Sequence, residues 1–200
     1  MTDREWDRRL RIRTVGREDE SDANCSPYEP TPYAVLERLA ASGYIKRRHH
    51  LLDYGCGKGR VACFMAREVG CRVTGVDYAQ KLIDIADQNR RDSRTGDRVS
   101  LVCRRAEQYD IAGENVFFFF NPFSEKIFAG VLRRVVRAWR ERPREMTMIC
   151  YYPSPEYLQC LEETEEAEPV ADIDCNDLFH GNDPRERIAV YRLGGTSEGR

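Results

Sequence analysis

The run Asp53-Tyr54-Gly55-Cys56-Gly57-Lys58-Gly59 sets a carboxylate ahead of three alternate glycines. Glycine has no Cβ, so such a run can bend tightly and bring its backbone against a ligand. Val61, Phe64, Met65 and Val69 then step along one helical stripe, which places a helix amino terminus directly behind the bend. A second acid, Asp77, closes the next apolar stretch, and Asn121-Pro122-Phe123 follows the apolar run Val116 to Phe120. These are polar residues at the ends of apolar runs, where an open α/β sheet binds its ligands.

Two cofactor readings fit the bend. Gly57-x-Gly59-x-x-Ala62 satisfies a dinucleotide fingerprint, with Asp77 about 20 residues on, which would suit NAD and hydride transfer. Asp53 separates the two: a carboxylate just before the glycines repels a pyrophosphate and attracts a ligand carrying ammonium and sulfonium groups. That favours S-adenosylmethionine.

The segments LLDYGCGKGRVACFMA and VTGVDYAQKLIDIA together resemble the class I S-adenosylmethionine-dependent methyltransferase family, and the likeness extends over residues 51 to about 193. The resemblance implies a Rossmann-like, mostly parallel sheet of seven strands with the last antiparallel. It also implies that Asp53, Gly55 and Gly57, with Tyr54 and Cys56 between them, contact the methionine part, and that Gly59 packs at the helix start. Asp77 would accept hydrogen bonds from both ribose hydroxyls, Tyr78 would lie against the adenine face, and Arg105-Ala106-Glu107 would flank its edge. Amino-methylating members of the family carry Asn or Asp, two prolines and an aromatic residue after the fourth strand. There, carbonyls hold an NH2 group towards the methyl and the ring stacks on the substrate. Asn121, Pro122 and Phe123 would take those catalytic roles, Asn121 beside the cofactor, with one proline where those members have two. Tyr28-Glu29-Pro30-Thr31-Pro32 is similar to a segment that packs over the methionine end in some adenine-amine methyltransferases, which adds Thr31 and Pro32 to the expected cofactor wall.

The elements that must position these residues alternate. Strands are expected at 51–54, 71–76, 99–103, 116–120 and 146–152, and helices at 60–69, 79–89, 124–139 and 155–161, with an earlier helix after Pro32 that closes at Ser42-Gly43. Val116 to Phe120 shows no polar alternation, as a strand covered on both faces requires. Residues 170–174 and 187–193 have no room for a crossover helix between them and should pair antiparallel. The expected fold is therefore α/β, a doubly wound sheet forming one domain over residues 25–200. Residues 1–24, with thirteen charges of both signs, are expected to be a flexible or loosely docked arm.

Composition removes several classes. No apolar run approaches the roughly 18 residues that cross a bilayer, and the charged start has no signal-peptide character. Thirty-two basic and 34 acidic side chains give a net charge of -2, so no whole-molecule field draws a polyanion. The eight cysteines have neither C-x-x-C spacing nor histidines at metal-ligand spacing, so we expect reduced thiols in a cytoplasm and no metal. The expected activity is methyl transfer to an acceptor of open class, whether small molecule, protein or RNA, with an amine nitrogen among the targets. An NAD-dependent oxidoreductase and a cofactor-binding scaffold without catalysis are the alternatives.

Overall fold

In the computed structural model, residues 1–17 and 25–194 are described. The element order is α1 (Asp3–Leu10), α2 (Tyr33–Ala41), β1 (His50–Tyr54), α3 (Arg60–Glu68), β2 (Arg72–Asp77), α4 (Gln80–Ser93), β3 (Val99–Cys103), β4 (Val116–Phe119), α5 (Glu125–Glu141), β5 (Met146–Tyr151), α6 (Pro155–Glu162), β6 (Ala167–Asp174) and β7 (Arg187–Leu193). The seven strands form one sheet in the order β3-β2-β1-β4-β5-β7-β6. The pairs among β1 to β5 are parallel, and β7 runs antiparallel to both β5 and β6. This is the Rossmann-like arrangement with the last strand reversed, and the hairpin read from the sequence is present, with β6 beginning earlier, at Ala167.

Each face of the sheet has its own apolar core, the mark of a doubly wound fold. On one side Leu51, Phe118 and Ile149 pack with Leu36, Leu39, Phe64 and Met65 from α2 and α3. On the other, Leu52, Phe117, Phe119 and Met148 meet Phe128, Val131, Leu132 and Val135 from α5 and Tyr157 from α6. The phenylalanines of β4 thus alternate between two cores, which is why that strand needs no polar face.

The amino-terminal segment differs from the loose arm expected of it. Residues 3–10 form α1, capped by Thr2 and Glu5 in a reciprocal box. Trp6, Leu10 and Ile12 are buried in the α2–α3 core, with Trp6 stacked on Tyr33 at 5.5 Å between ring centroids. Two of the charges that suggested an arm have specific partners: Asp7 accepts hydrogen bonds from Thr14 and Tyr33, and Arg60 pairs with Asp3. Part of that expectation, residues 18–24, lies outside the described residues, as do residues 195–200. Among the described residues no helix is long and apolar enough to cross a membrane, and none of the eight cysteines is in a disulfide.

Candidate functional site

The carboxyl ends of β1, β2, β3, β4 and β5 and the amino end of β7 open into one cavity of about 490 Å³. It lies where the strand order reverses between β1 and β4, the position open α/β sheets use for ligands. Its wall includes Asp53, Tyr54, Gly55, Cys56, Asp77, Tyr78, Ala106, Glu107, Asn121, Pro122 and Phe123, with Thr31 and Pro32 opposite. The structure therefore brings together residues that are far apart in the chain. Gly57 and Gly59 are not on the wall; they shape the bend behind it.

The bend is fixed by β2. Gly55 and Cys56 donate their N–H groups to the Val76 carbonyl, and Gly57 N–H donates to Asp77 Oδ2 at 2.9 Å. Gly57 has φ +50°, and a Cβ there would lie 2.2 Å from the Tyr28 ring. Tyr28 closes over the loop and anchors its hydroxyl on the Thr14 carbonyl at 2.7 Å. Gly57→Ala should thus destabilise the protein by about 1–3 kcal/mol through forced overpacking. A thermal melt checks this, and adding Tyr28→Ala should recover part of the loss; an unshifted melt would remove Tyr28 as the reason for the glycine.

Asp53 is 2% exposed, and its Oδ2 has no hydrogen-bond partner. Burial, reinforced by the charge of Asp77, raises its pKa to about 8. An orphaned carboxylate facing a cavity is suited to a cationic ligand that would restore its ionised form. Asp77 is arranged differently. Burial raises its pKa, while backbone donors from Ala79 and Gly57 act against that shift. Oδ1 and Oδ2 each accept one of these hydrogen bonds, and a carboxylate offers about four acceptor positions, so both oxygens retain capacity for hydroxyl groups.

Asn121 sits at φ +39°, which turns the chain out of β4 into the cavity rim. Its Nδ2 donates to the Tyr152 carbonyl, and its Oδ1 accepts from Ser154 N–H at 3.2 Å. Ser26 covers the backbone on the other side, its hydroxyl donating to the Asn121 carbonyl and its N–H to the Pro122 carbonyl. The amide thus ties the ends of β4 and β5 together, with one lone pair of Oδ1 left over. Phe123 is 7% exposed and packs edge-on against Tyr54 and Phe119. It forms part of the cavity floor rather than a free stacking ring.

Several wall residues are not singled out by a linear reading. Arg60, at the start of α3, is 2% exposed and donates to the Thr31 carbonyl, Thr14 Oγ1 and Asp3. Its signal, an arginine opening an otherwise apolar helical stripe, is legible in retrospect. Tyr151, Tyr152, Phe179 and Glu186 complete the far end of the cavity, and only pairing of β7 with β5 places Glu186 there.

A family profile described as "Methyltransferase domain" matches residues 51–142. The chain is 37% identical over 59 residues to geranyl diphosphate 2-C-methyltransferase of Saccharopolyspora erythraea, which covers 29% of this chain and 20% of that protein. It is 36% identical over 66 residues to methyltransferase GfsG of Streptomyces halstedii, covering 33% of this chain and 22% of that protein. The matches thus span about a fifth of each curated relative. Among solved structures, an RNA methyltransferase from Salinibacter ruber in complex with S-adenosyl-L-homocysteine superposes with a TM-score of 0.59 at 18% identity, covering 86% of this chain and 97% of that one. At that identity the likeness is one of fold.

Proposed function

We propose that the chain is a class I S-adenosylmethionine-dependent methyltransferase, and that it moves a methyl group from S-adenosylmethionine to a nucleophile seated beside Asn121. The observation that carries this reading is Asp53, a buried carboxyl group that lines the cavity and whose Oδ2 has no hydrogen-bond partner. A pyrophosphate there would add negative charge beside Asp53 and Asp77; an α-ammonium group would supply the missing partner.

The residues fit such a donor along its whole length. Asp53 and the loop at Gly55 and Cys56 would hold the amino-acid end beneath Thr31 and Pro32, Asp77 the ribose hydroxyls, and Tyr78, Ala106 and Glu107 the adenine. When bound, the donor supplies an electrophilic methyl on a positively charged sulfur, whose transfer depends on alignment and exclusion of water. Asn121 contributes by holding the rim rigid and by its remaining Oδ1 lone pair, which can accept a hydrogen bond from an N–H or O–H of the acceptor. An amine nitrogen is one target this arrangement suits.

Titration calorimetry with S-adenosylhomocysteine should show one site, weakened tenfold or more by Asp77→Asn, a variant that preserves the side-chain shape. NADH should show none. NADH binding in place of S-adenosylhomocysteine would replace this reading with hydride transfer. Cofactor binding without transfer of labelled methyl to any fraction of a cell extract would favour a scaffold.

A further inference from the structure

The far end of the cavity differs in character from the part that fits the methyl donor. Phe120 and Tyr151 pack with ring centroids 4.8 Å apart, and Tyr152 stands edge-on to Phe120 at 6.4 Å. Phe179 reaches the same wall from the segment between β6 and β7. A carboxylate, Glu186, stands among these rings, with its Oε2 accepting the Tyr151 hydroxyl at 2.8 Å. That hydrogen bond uses one acceptor position of the ionised group and aims it; its other positions remain for a ligand.

We propose that these five residues form the acceptor subsite, and that it takes a small flat aromatic molecule carrying a cationic group remote from its reacting atom. This rests on the methyl-transfer reading, since it takes Asn121 to mark the reacting end. Flat rings with adjoining polar tips favour a planar guest, and ring faces add attraction for a cation. Sheet geometry supplies the length: β4 and β7 flank β5, so the end of β4 and the start of β7 are two strand spacings apart, about 10 Å.

The arginines next to Glu186 in the chain are each paired with a carboxylate. Arg185 is paired with Asp183 and lies over the Tyr152 ring, and Arg187 is paired with Asp172; neither lines the cavity. Glu29 on the opposite wall adds a second carboxylate, and Arg17 and Arg60 are basic side chains on that side, Arg60 paired with Asp3 and Asp7. Arg104 and Arg105 follow β3 and belong to the end assigned to adenine.

Two probes that share a phenol ring and differ in the charge of the tail, tyramine and 3-(4-hydroxyphenyl)propionate, test this. Saturation-transfer NMR with S-adenosylhomocysteine present should detect tyramine and not the propionate. Glu186→Gln, which can still accept the Tyr151 hydroxyl, should weaken tyramine tenfold or more while leaving S-adenosylhomocysteine affinity unchanged. Equal binding of both probes, no binding of tyramine, or an indifferent Glu186→Gln would overturn the subsite while the methyl-transfer reading stands. Failure of wild-type protein to bind S-adenosylhomocysteine would overturn both.

Discussion

Arg60→Ala should lower the free energy of unfolding by about 3–5 kcal/mol, the range for removing one partner of a buried ion pair. Arg60 is 2% exposed, and its guanidinium lies 4.0 Å from Asp7, itself nearly buried, while it also binds Asp3. The same group donates to Thr14 Oγ1 at 2.7 Å and to the Thr31 carbonyl at 3.0 Å, and it lies 4.4 Å over the Tyr33 ring. Without it Asp7 keeps its hydrogen bonds from Thr14 and Tyr33 but loses its compensating charge. The segment at Thr31 would lose its anchor as well, so binding of S-adenosylhomocysteine should weaken alongside stability. Chemical denaturation measures the first effect and calorimetry the second. A stability change below about 1 kcal/mol, the scale of an exposed pair, would show that α1 and the 25–32 segment do not depend on this arginine.

Asp53→Asn should weaken S-adenosylmethionine binding by about 10- to 100-fold, corresponding to loss of a charge-assisted hydrogen bond worth about 1.5–3 kcal/mol. The pH dependence is the sharper test. With a pKa of about 8 in the free protein, Asp53 holds its proton at neutral pH, and an ammonium ligand prefers the ionised form. Affinity for the donor should therefore rise as pH increases towards 8, and Asp53→Asn should remove that rise. Stability of the free protein should move the opposite way. The folded pKa lies above the usual carboxylate value, so the folded state binds more protons between about pH 4 and 8. Stability is then greatest at the acid end of that window and falls as pH rises through it, by up to about 1.4 kcal/mol per unit. A donor affinity independent of pH in the wild type would sink the pairing of Asp53 with a cation.

Legibility of the fold followed the strength of the local signals. Val116 to Phe119 could only be an interior strand, because four consecutive buried side chains leave no solvent face. The bend from Gly55 to Gly59 was readable because its backbone needs positive φ at all three glycines. α1 was not readable as part of the core. Its eight residues carry two acids and two bases in its end turns, and a composition so charged gives no sign that Asp7 and Asp3 will meet Arg60 across the fold.

The site divides along the same line. Sequence by itself determined the β1–β2 end of the cavity, since Asp53, the glycine bend and Asp77 are set by neighbours within one β-α-β stretch and by the backbone that stretch must adopt. Only the tertiary structure decided the opposite end. Insertion of β7 between β5 and β6 carries Glu186 and the Tyr152 partners to the rim. Asn121 becomes a tie between two strands because Tyr152 and Ser154 arrive beside it. Pairing between strands distant in the chain is settled by burial of whole faces, which no short window of residues records.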